Sequence, residues 1–156
     1  MTVEEETRFY RLSGELIQDE RLLQMKNFIQ HGRITTYDHC LSVARKAFSL
    51  KCSMKISCDE KALIRAALLH DYFLYDWHEY GDHLHGYHHP YIAARKADMD
   101  FALTATEKKA IMTHMWPLTL FHPPVSKVGW LLTLADKMVS TEETLFKRAD
   151  SSLRLR

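Results

Sequence analysis

Cysteine is scarce in this chain, and the three cysteines, Cys40, Cys52 and Cys58, are widely spaced with no Cys-x-x-Cys pair among them. A small, odd number of isolated cysteines argues against a disulfide framework and against a thiolate zinc site. Free thiols fit a reducing compartment, so the expected location is the cytoplasm.

Long hydrophobic runs are also absent. No uninterrupted apolar stretch approaches the ~20 residues that cross a bilayer, and the acidic start (MTVEEE) lacks the basic and then apolar order of a signal peptide. The formal net charge of only +1 points to neither a polyanion nor an acidic membrane surface as partner. We therefore expect no membrane segment and no extended nucleic-acid surface.

Strand patterns are missing as well, since no segment alternates polar and apolar residues for long enough to demand one. Helix signals dominate instead, and 156 residues with 46% hydrophobic side chains suffice for one core. We predict an all-α fold, a helical bundle in which residues 1–156 form a single domain. The predicted helices cover about 4–30, 36–50, 60–71, 90–98, 105–115 and 125–145.

Capping residues set several of these boundaries. Thr35 begins the second helix, because its hydroxyl can cap free backbone amides, and Ser57 and Thr104 each start a capping box with a glutamate three residues later. Pro90 fits the first turn of a helix without loss of a hydrogen bond, so the fourth helix is expected to begin there. The preceding segment 76–87 is aromatic and histidine-rich with two glycines, which predicts a long loop.

Histidine, in contrast to cysteine, is abundant in this chain. Ten histidines are present, and seven of them lie between His70 and His114. Histidine is the commonest metal-binding side chain at neutral pH, so this enrichment indicates chemistry. The pair His70-Asp71 closes the apolar run 62–69, where a buried carboxylate is costly without a partner. The usual partner of such a pair is a divalent metal ion.

Further potential ligands lie in or beside their own apolar helical segments. A spacing of four residues puts His39 on one stripe with Val43, and Asp136 lies one turn after Leu132. A single buried histidine is more often held by a backbone carbonyl, but two buried aspartates would leave charge uncompensated. A shared cation resolves this for the whole set, with room for two ions. The predicted metal ligands are His39, His70, Asp71, His89, His114 and Asp136.

Three blocks of the sequence resemble the HD superfamily of metal-dependent phosphohydrolases. They are 36–44 (TYDHCLSVA), 67–71 (ALLHD) and 134–137 (LADK), and they follow the superfamily's His…His-Asp…Asp signature over about 29–143. The resemblance implies an all-α bundle of the HD-domain type with the metal site in its core. It also implies a hydrolase that acts through a metal-bridged hydroxide on a small phosphorylated substrate, such as a nucleotide.

Some members of that superfamily carry two further histidines before the final aspartate and hold two metals. His89, followed by Pro90, and His114 resemble these two. By this resemblance Asp71 bridges two divalent ions, and the other ligands divide into His39, His70 and Asp136 on one ion and His89 and His114 on the other. Nitrogen and oxygen ligands without thiolate suit Fe, Mn, Co, Ni or Zn and do not choose among them.

Four residues are candidates for the reaction itself. Asp71 would orient the nucleophile and take its proton. Lys137 and Arg33 could bind phosphate, although each is otherwise an ordinary solvated side chain. His85 is a general acid, an extra ligand or a solvent-facing loop histidine.

Other interpretations of the same residues stay open. Four histidines could form a separate zinc site without regular ligand spacing, namely His78, His83, His85 and His88. Four aromatic residues could stack on a nucleobase or simply pack, namely Trp77, Tyr80, Tyr87 and Trp116. Some superfamily members use the same ligand set for a mixed-valent di-iron centre that activates oxygen. The third alternative is a metal-stabilised, non-catalytic module that binds a nucleotide.

Overall fold

The computed structural model describes residues 1–31, 34–72 and 85–153. Within these ranges the chain forms seven α-helices and one two-stranded sheet, which confirms the predicted all-α class. The elements, in chain order, are α1 (Val3–Ile17), α2 (Glu20–Leu23), a 3₁₀ turn (Gln24–Asn27), β1 (Ile29–His31), β2 (Ile34–Thr35), α3 (Thr36–Ser53), α4 (Glu60–Leu69), α5 (His85–Phe101), α6 (Ala105–Thr113) and α7 (Lys127–Leu153).

The first predicted helix is too long, because α1 ends at Ile17 instead of near residue 30. Asp19 has an extended backbone, and its carboxylate accepts a hydrogen bond from the Arg21 N–H, so that it caps the short helix α2. This cap competes with continuation of α1 through the same residues. The chain that follows packs the 3₁₀ turn and β1 against α3.

A small hairpin forms where the sequence predicts no strand. β1 and β2 pair antiparallel, with Ile29 opposite Thr35 and His31 opposite Ile34. Strands of three and two residues are too short to show an alternating pattern. The pairing places Gln30 where its side chain meets the end of α4.

The predicted N-terminal caps are confirmed at α3 and α6, whereas the cap predicted for α4 is wrong. The Thr35 hydroxyl caps α3, and Thr104 forms the predicted capping box with Glu107 at the start of α6. At α4 the cap is Asp59 rather than Ser57. Aspartate and serine are equally good caps, so residue type alone does not separate them.

Helix α5 begins at His85, one turn earlier than predicted. Pro90 is therefore its sixth residue rather than one of its first, and residues 85–87 are helical instead of part of the loop. The amide hydrogen that Pro90 lacks would have bonded to the carbonyl of Gly86. The helix continues to Phe101 rather than 98. Residues 76–84 of the predicted loop lie outside the described residues.

The helices pack around α3, which contacts α4 and α7, while α6 contacts α4, α5 and α7. The shared core is apolar, and its large, fully buried side chains include Phe9, Phe48, Leu63, Leu68, Ile111 and Leu132. None of the helices in the described part of the chain combines the length and the apolarity needed to cross a bilayer. This packing brings the first turn of α3, the ends of α4 and α6 and the first half of α7 to one place.

Candidate metal centre

The six predicted ligands come together in one buried cluster. Each is at most 7% exposed, and they come from α3, the end of α4, α5, the end of α6 and α7. The ligand atoms of five of them lie within 4.8 Å of one another in two overlapping groups. These groups are His39, His70 and Asp136, and His70, Asp71 and His114.

One part of the cluster, the Asp136 half, consists of His39, His70, Asp136 and the Oδ2 atom of Asp71. His39 Nε2 lies 3.4 Å from Asp136 Oδ1 and 3.9 Å from Asp71 Oδ2. His70 Nε2 lies 3.8 Å and 3.5 Å from the same two atoms. Most of these separations are too long for good hydrogen bonds. They match ligands that share one ion, because atoms ~2.1 Å from a metal lie roughly 3–4 Å apart.

The other part, the His89 half, consists of His89, His114 and the Oδ1 atom of Asp71. Oδ1 lies 3.3 Å from His89 Nε2 and 3.7 Å from His114 Nε2, and these two Nε2 atoms are 3.1 Å apart. The two oxygens of one carboxylate thus face two different sets of histidines. This arrangement suits a carboxylate that bridges two ions ~3.5–4 Å apart.

Contacts on the far ring nitrogen orient two of the histidines. The Nδ1 atoms of His70 and His114 lie 2.8 Å and 2.7 Å from the carbonyl oxygens of Ala67 and Ile111. A carbonyl oxygen only accepts, so each Nδ1 carries a hydrogen and, in the neutral ring, each Nε2 presents a lone pair to the cluster. Metal-bound histidines usually make this second contact.

Two buried atoms of the cluster have no hydrogen-bond partner among the described residues, His70 Nε2 and Asp71 Oδ1. A buried polar atom without a partner costs about 1–3 kcal/mol, and more when it is charged. A cation satisfies both atoms at once, because each presents a lone pair to the space that the ligands enclose. The residues present therefore fit a divalent metal ion, and their nitrogen and oxygen donors suit Fe, Mn, Co, Ni or Zn.

The pKa values of the clustered residues depart from their ordinary values in both directions. Burial lowers the pKa of His39, but the carboxylates beside it outweigh burial and raise that pKa to about 10. Burial also opposes the charge of His70, whose pKa the Asp71 carboxylate nevertheless holds well above its ordinary value. Burial would raise the pKa of Asp71, yet the charge of His70 keeps it well below its ordinary range. Burial and the neighbouring imidazolium charges lower the pKa of His114 to about 3.

Two buried residues that the sequence analysis does not single out touch these ligands. Glu143 Oε2 is 3.0 Å from His39 Nδ1, and the Gln30 side-chain amide donates to Asp71 Oδ2 at 2.6 Å. Glu143 follows Asp136 by seven residues, or two turns of α7, so helical spacing could have found it. No comparable signal marks Gln30, because its hairpin is too short to be recognised in the sequence.

Lys137 reaches the edge of the cluster although a neighbouring residue on a helix points about 100° away. Its ammonium donates to Asp136 Oδ2 at 2.7 Å, while the Ser140 hydroxyl donates to Oδ1 of the same carboxylate at 3.1 Å. The Lys137 side chain is 39% exposed. The ammonium is therefore held beside a candidate ligand and still open to an incoming group.

Two of the four predicted reaction residues have no described side chain. Arg33 lies outside the described residues, and for His85 only the backbone is described, at the start of α5. His78 and His83 lie outside the described residues too, and His88 is exposed on α5. The roles of Arg33 and His85 and the separate zinc site remain predictions.

Two of the four aromatic candidates lie within the described residues and two lie outside them. Trp77 and Tyr80 lie outside the described residues, and Tyr87 is exposed on α5. Trp116 packs edge to face against Trp130, with ring centroids 5.1 Å apart. Among these four, Trp116 thus has a described packing partner.

The family comparison agrees with the all-α fold and covers the stretch that contains the candidate ligands. The family model of the HD domain matches residues 36–155, and all six candidate ligands lie within that stretch. Neither the curated proteins nor the solved structures gave a significant match. Because the family model covers most of the sequence, the chain belongs to the HD domain family.

Proposed function

We propose that this protein is a metal-dependent phosphohydrolase that acts on a small phosphorylated molecule, such as a nucleotide. One observation carries the proposal: the two oxygens of Asp71 face two separate sets of histidines at 3.3–3.9 Å. A purely structural metal site is a single closed set of ligands, so a carboxylate shared between two sets supports a reactive centre. Membership of the HD domain family supports hydrolysis as the reaction.

Each half of the cluster would hold one divalent ion. The Asp136 half offers four ligand atoms, whereas the His89 half offers only three, which would leave a position open there for water or substrate. Ions bound there would lower the pKa of a coordinated water toward ~7 and neutralise the charge on phosphoryl oxygens. Within this arrangement we assign to Asp71 the orientation of the attacking water, since the Gln30 amide fixes its Oδ2 atom.

Lys137 is the described residue best placed to bind the phosphate. An ammonium has three hydrogens. One is directed to Asp136 Oδ2 and a second to Met115 Sδ at 3.7 Å. The third can donate to a phosphoryl oxygen, because the side chain is partly exposed.

A small substrate is favoured over a nucleic acid. The net charge of +1 offers little of the cationic surface from which proteins that bind polyanions draw most of their affinity. The packing of α1 against α3 and α4 supports the further proposal that residues 1–156 form one domain.

The test combines metal analysis with a substrate screen. Protein purified without added metal is analysed for its metal content, loaded with Mn, Fe, Co or Zn, and assayed for phosphate release from mono-, di- and cyclic nucleotides. We expect release that a chelator abolishes and that Asp71→Asn lowers by at least about 100-fold. The matched control is Asp98→Asn, a surface carboxylate paired with Lys108, which should keep wild-type activity.

Metal binding without hydrolysis of any phosphate ester would contradict the proposal. Iron in the purified protein, together with consumption of oxygen in the presence of a substrate, would assign the same ligands to oxygen activation instead.

A further inference from the structure

A cavity of about 340 Å³ lies against the first half of α7. Its walls are almost wholly apolar, and they include the side chains of Met54, Ile56, Trp116, Trp130, Leu131 and Leu134. Small-molecule pockets usually measure ~300–1,000 Å³ and combine apolar walls with a few polar groups. The cavity has the size and the lining of such a pocket.

The few polar groups of the cavity are unevenly distributed. Lys127 and Lys137 both line it, and ten residues of α7 separate them by ~15 Å. Lys127 donates to the carbonyl of Ser57. Thr133 also lines the cavity, and its buried hydroxyl has no hydrogen-bond partner among the described residues. Because the Thr133 hydroxyl is buried, an occupant meets an almost wholly apolar wall, with one ammonium-bearing side chain toward each end.

Lys137 connects this cavity to the candidate metal centre. The same side chain that lines the cavity places its ammonium 2.7 Å from Asp136 Oδ2. Trp116, another residue of the lining, follows the candidate ligand His114 by two residues. A molecule in the cavity whose anionic end lies at Lys137 thus has that end beside the ligands.

We propose that the cavity binds the apolar ring of a phosphate monoester whose phosphate lies at the Lys137 end. The assignment rests on the proposed phosphohydrolase function and narrows its substrate class to aryl and similarly apolar phosphate esters. The candidate ligands set the orientation. The Lys137 ammonium lies beside Asp136, whereas the Lys127 ammonium donates to the Ser57 carbonyl at the other end. The dianionic phosphate therefore pairs with Lys137 while the ring contacts uncharged walls.

The composition of the walls favours a ring over a polyol. Each hydroxyl of a polyol would leave water for an almost wholly apolar wall, and an unpaired buried hydroxyl is unfavourable. The rings of Trp116 and Trp130 meet edge to face, and such rings provide flat faces for an aromatic occupant. Trp130 is 45% exposed, so its ring is accessible from solvent.

The test compares two esters on the metal-loaded protein, 1-naphthyl phosphate and glycerol 3-phosphate. We expect kcat/KM to be at least about tenfold higher for the naphthyl ester, since a few apolar groups in a pocket give ratios of that size. The difference should lie mainly in KM, because the ring contributes binding rather than chemistry.

Variants locate the effect in the cavity. Trp130→Ala should raise KM for 1-naphthyl phosphate by about tenfold and bring the selectivity ratio toward one. Leu134→Gln is the second variant, and it should act in the same direction if Trp130→Ala fails to fold. Phe121→Ala is the matched control, because Phe121 is 89% exposed and does not line the cavity, and it should leave the ratio unchanged.

A binding measurement separates failure of this assignment from failure of the proposed function. The ligand is 1-naphthylphosphonate, whose carbon–phosphorus bond is not an ester, titrated calorimetrically into metal-loaded protein. Binding that Trp130→Ala weakens, without hydrolysis of any ester, supports the cavity assignment and overturns the hydrolase. Equal kcat/KM for the two esters, or a ratio that neither cavity variant changes, overturns the cavity assignment and leaves hydrolysis standing.

Discussion

The two halves of the candidate metal centre share Asp71 and differ in the charge around it. The Asp136 half has a second carboxylate of its own, and behind one of its histidines lies a third, Glu143, at 3.0 Å. Among the described residues the His89 half has only the shared carboxylate, and behind His114 lies a neutral backbone carbonyl. A carboxylate that accepts a hydrogen bond from a ligating histidine makes that ligand more basic. We expect the Asp136 half to bind its ion more tightly and to fill first.

Two halves with similar ligand types can therefore differ in their affinity for a metal ion. Both halves contain two histidines and an oxygen of Asp71, yet the side chains around them give the halves different charge. The Asp136 half is drawn from α3, α4 and α7, which pack directly on one another, whereas His89 comes from α5.

Removal of the shared carboxylate should have the largest effect. Asp71→Ala takes a ligand oxygen from both halves at once and leaves two cations without a negative bridge. We expect neither ion to be retained after dialysis, as measured by elemental analysis against the wild type. Wild-type metal content in this variant would rule out the bridging role.

Removal of a ligand from one half should distinguish the two. His114→Ala should lose about one equivalent of metal and keep the fold, because the Asp136 half survives. Asp136→Ala should instead lose the tightly bound ion. Calorimetric titration with Mn or Zn resolves the two events, and a wild type that never binds more than one ion per chain would contradict the description in two halves.

Protonation should separate the metal-free protein from the metal-loaded one. Against the effect of burial, neighbouring carboxylates raise the pKa of His39 from 6.5 to about 10, and Asp71 holds the pKa of His70 well above its ordinary value. When a group has a higher pKa in the folded protein than in the unfolded chain, its protonation stabilises the fold. This stabilisation is complete at pH values below the unfolded pKa, and it is lost as the pH rises through the folded pKa.

For His39 that window runs from pH 6.5 to about 10. We expect the Tm of chelator-treated protein to fall across it, while the Tm of the metal-loaded protein stays more level. Metal binding should release about two protons per chain near neutral pH, and metal affinity should rise with pH. Parallel Tm curves with and without metal would show that these histidines do not exchange protons for metal.

Glu143→Gln should weaken the Asp136 half alone. The substitution removes the negative charge behind His39. Loss of such a partner typically lowers metal affinity by about 10–100-fold. The matched control is Glu142→Gln, because Glu142 is exposed and pairs with Lys46 instead. Equal affinities for the two variants would show that the Glu143 contact does not tune the ion.

Gln30→Leu should have the smallest effect and should not distinguish the halves. Its amide bonds to Asp71, which both halves share, and one hydrogen bond to a charged group corresponds to about tenfold in affinity. Metal titrations of Gln30→Leu and Glu143→Gln therefore test whether the two halves of the centre respond differently. A loss confined to one half would show that Gln30 acts on one ion rather than on the bridge.

Much of the site is local in sequence and could be predicted. The pair His70-Asp71 closes an apolar run, and Asp136 lies one turn after the buried Leu132, so these three ligands are marked by the patterns of their own helices. The caps Thr35 and Thr104 belong to the same class, because a cap and the amide that it binds lie within one turn. Where two residues satisfy one local rule equally, as Ser57 and Asp59 do, the sequence does not choose between them.

The sequence by itself thus determined the helical class, because periodicity and caps act within one element. Its three blocks that resemble the HD superfamily indicated the family, and its buried histidines and aspartates the six candidate ligands. Only the tertiary structure decided which of these residues meet. Glu143 reaches His39 across 104 residues, and Gln30 reaches Asp71 across 41. A helical period shows which face a residue occupies but not which other segment covers that face. The covering segment depends on how helices that are far apart in the sequence pack against one another. For this reason the partners behind the ligands and the cavity beside Lys137 emerge only from the fold.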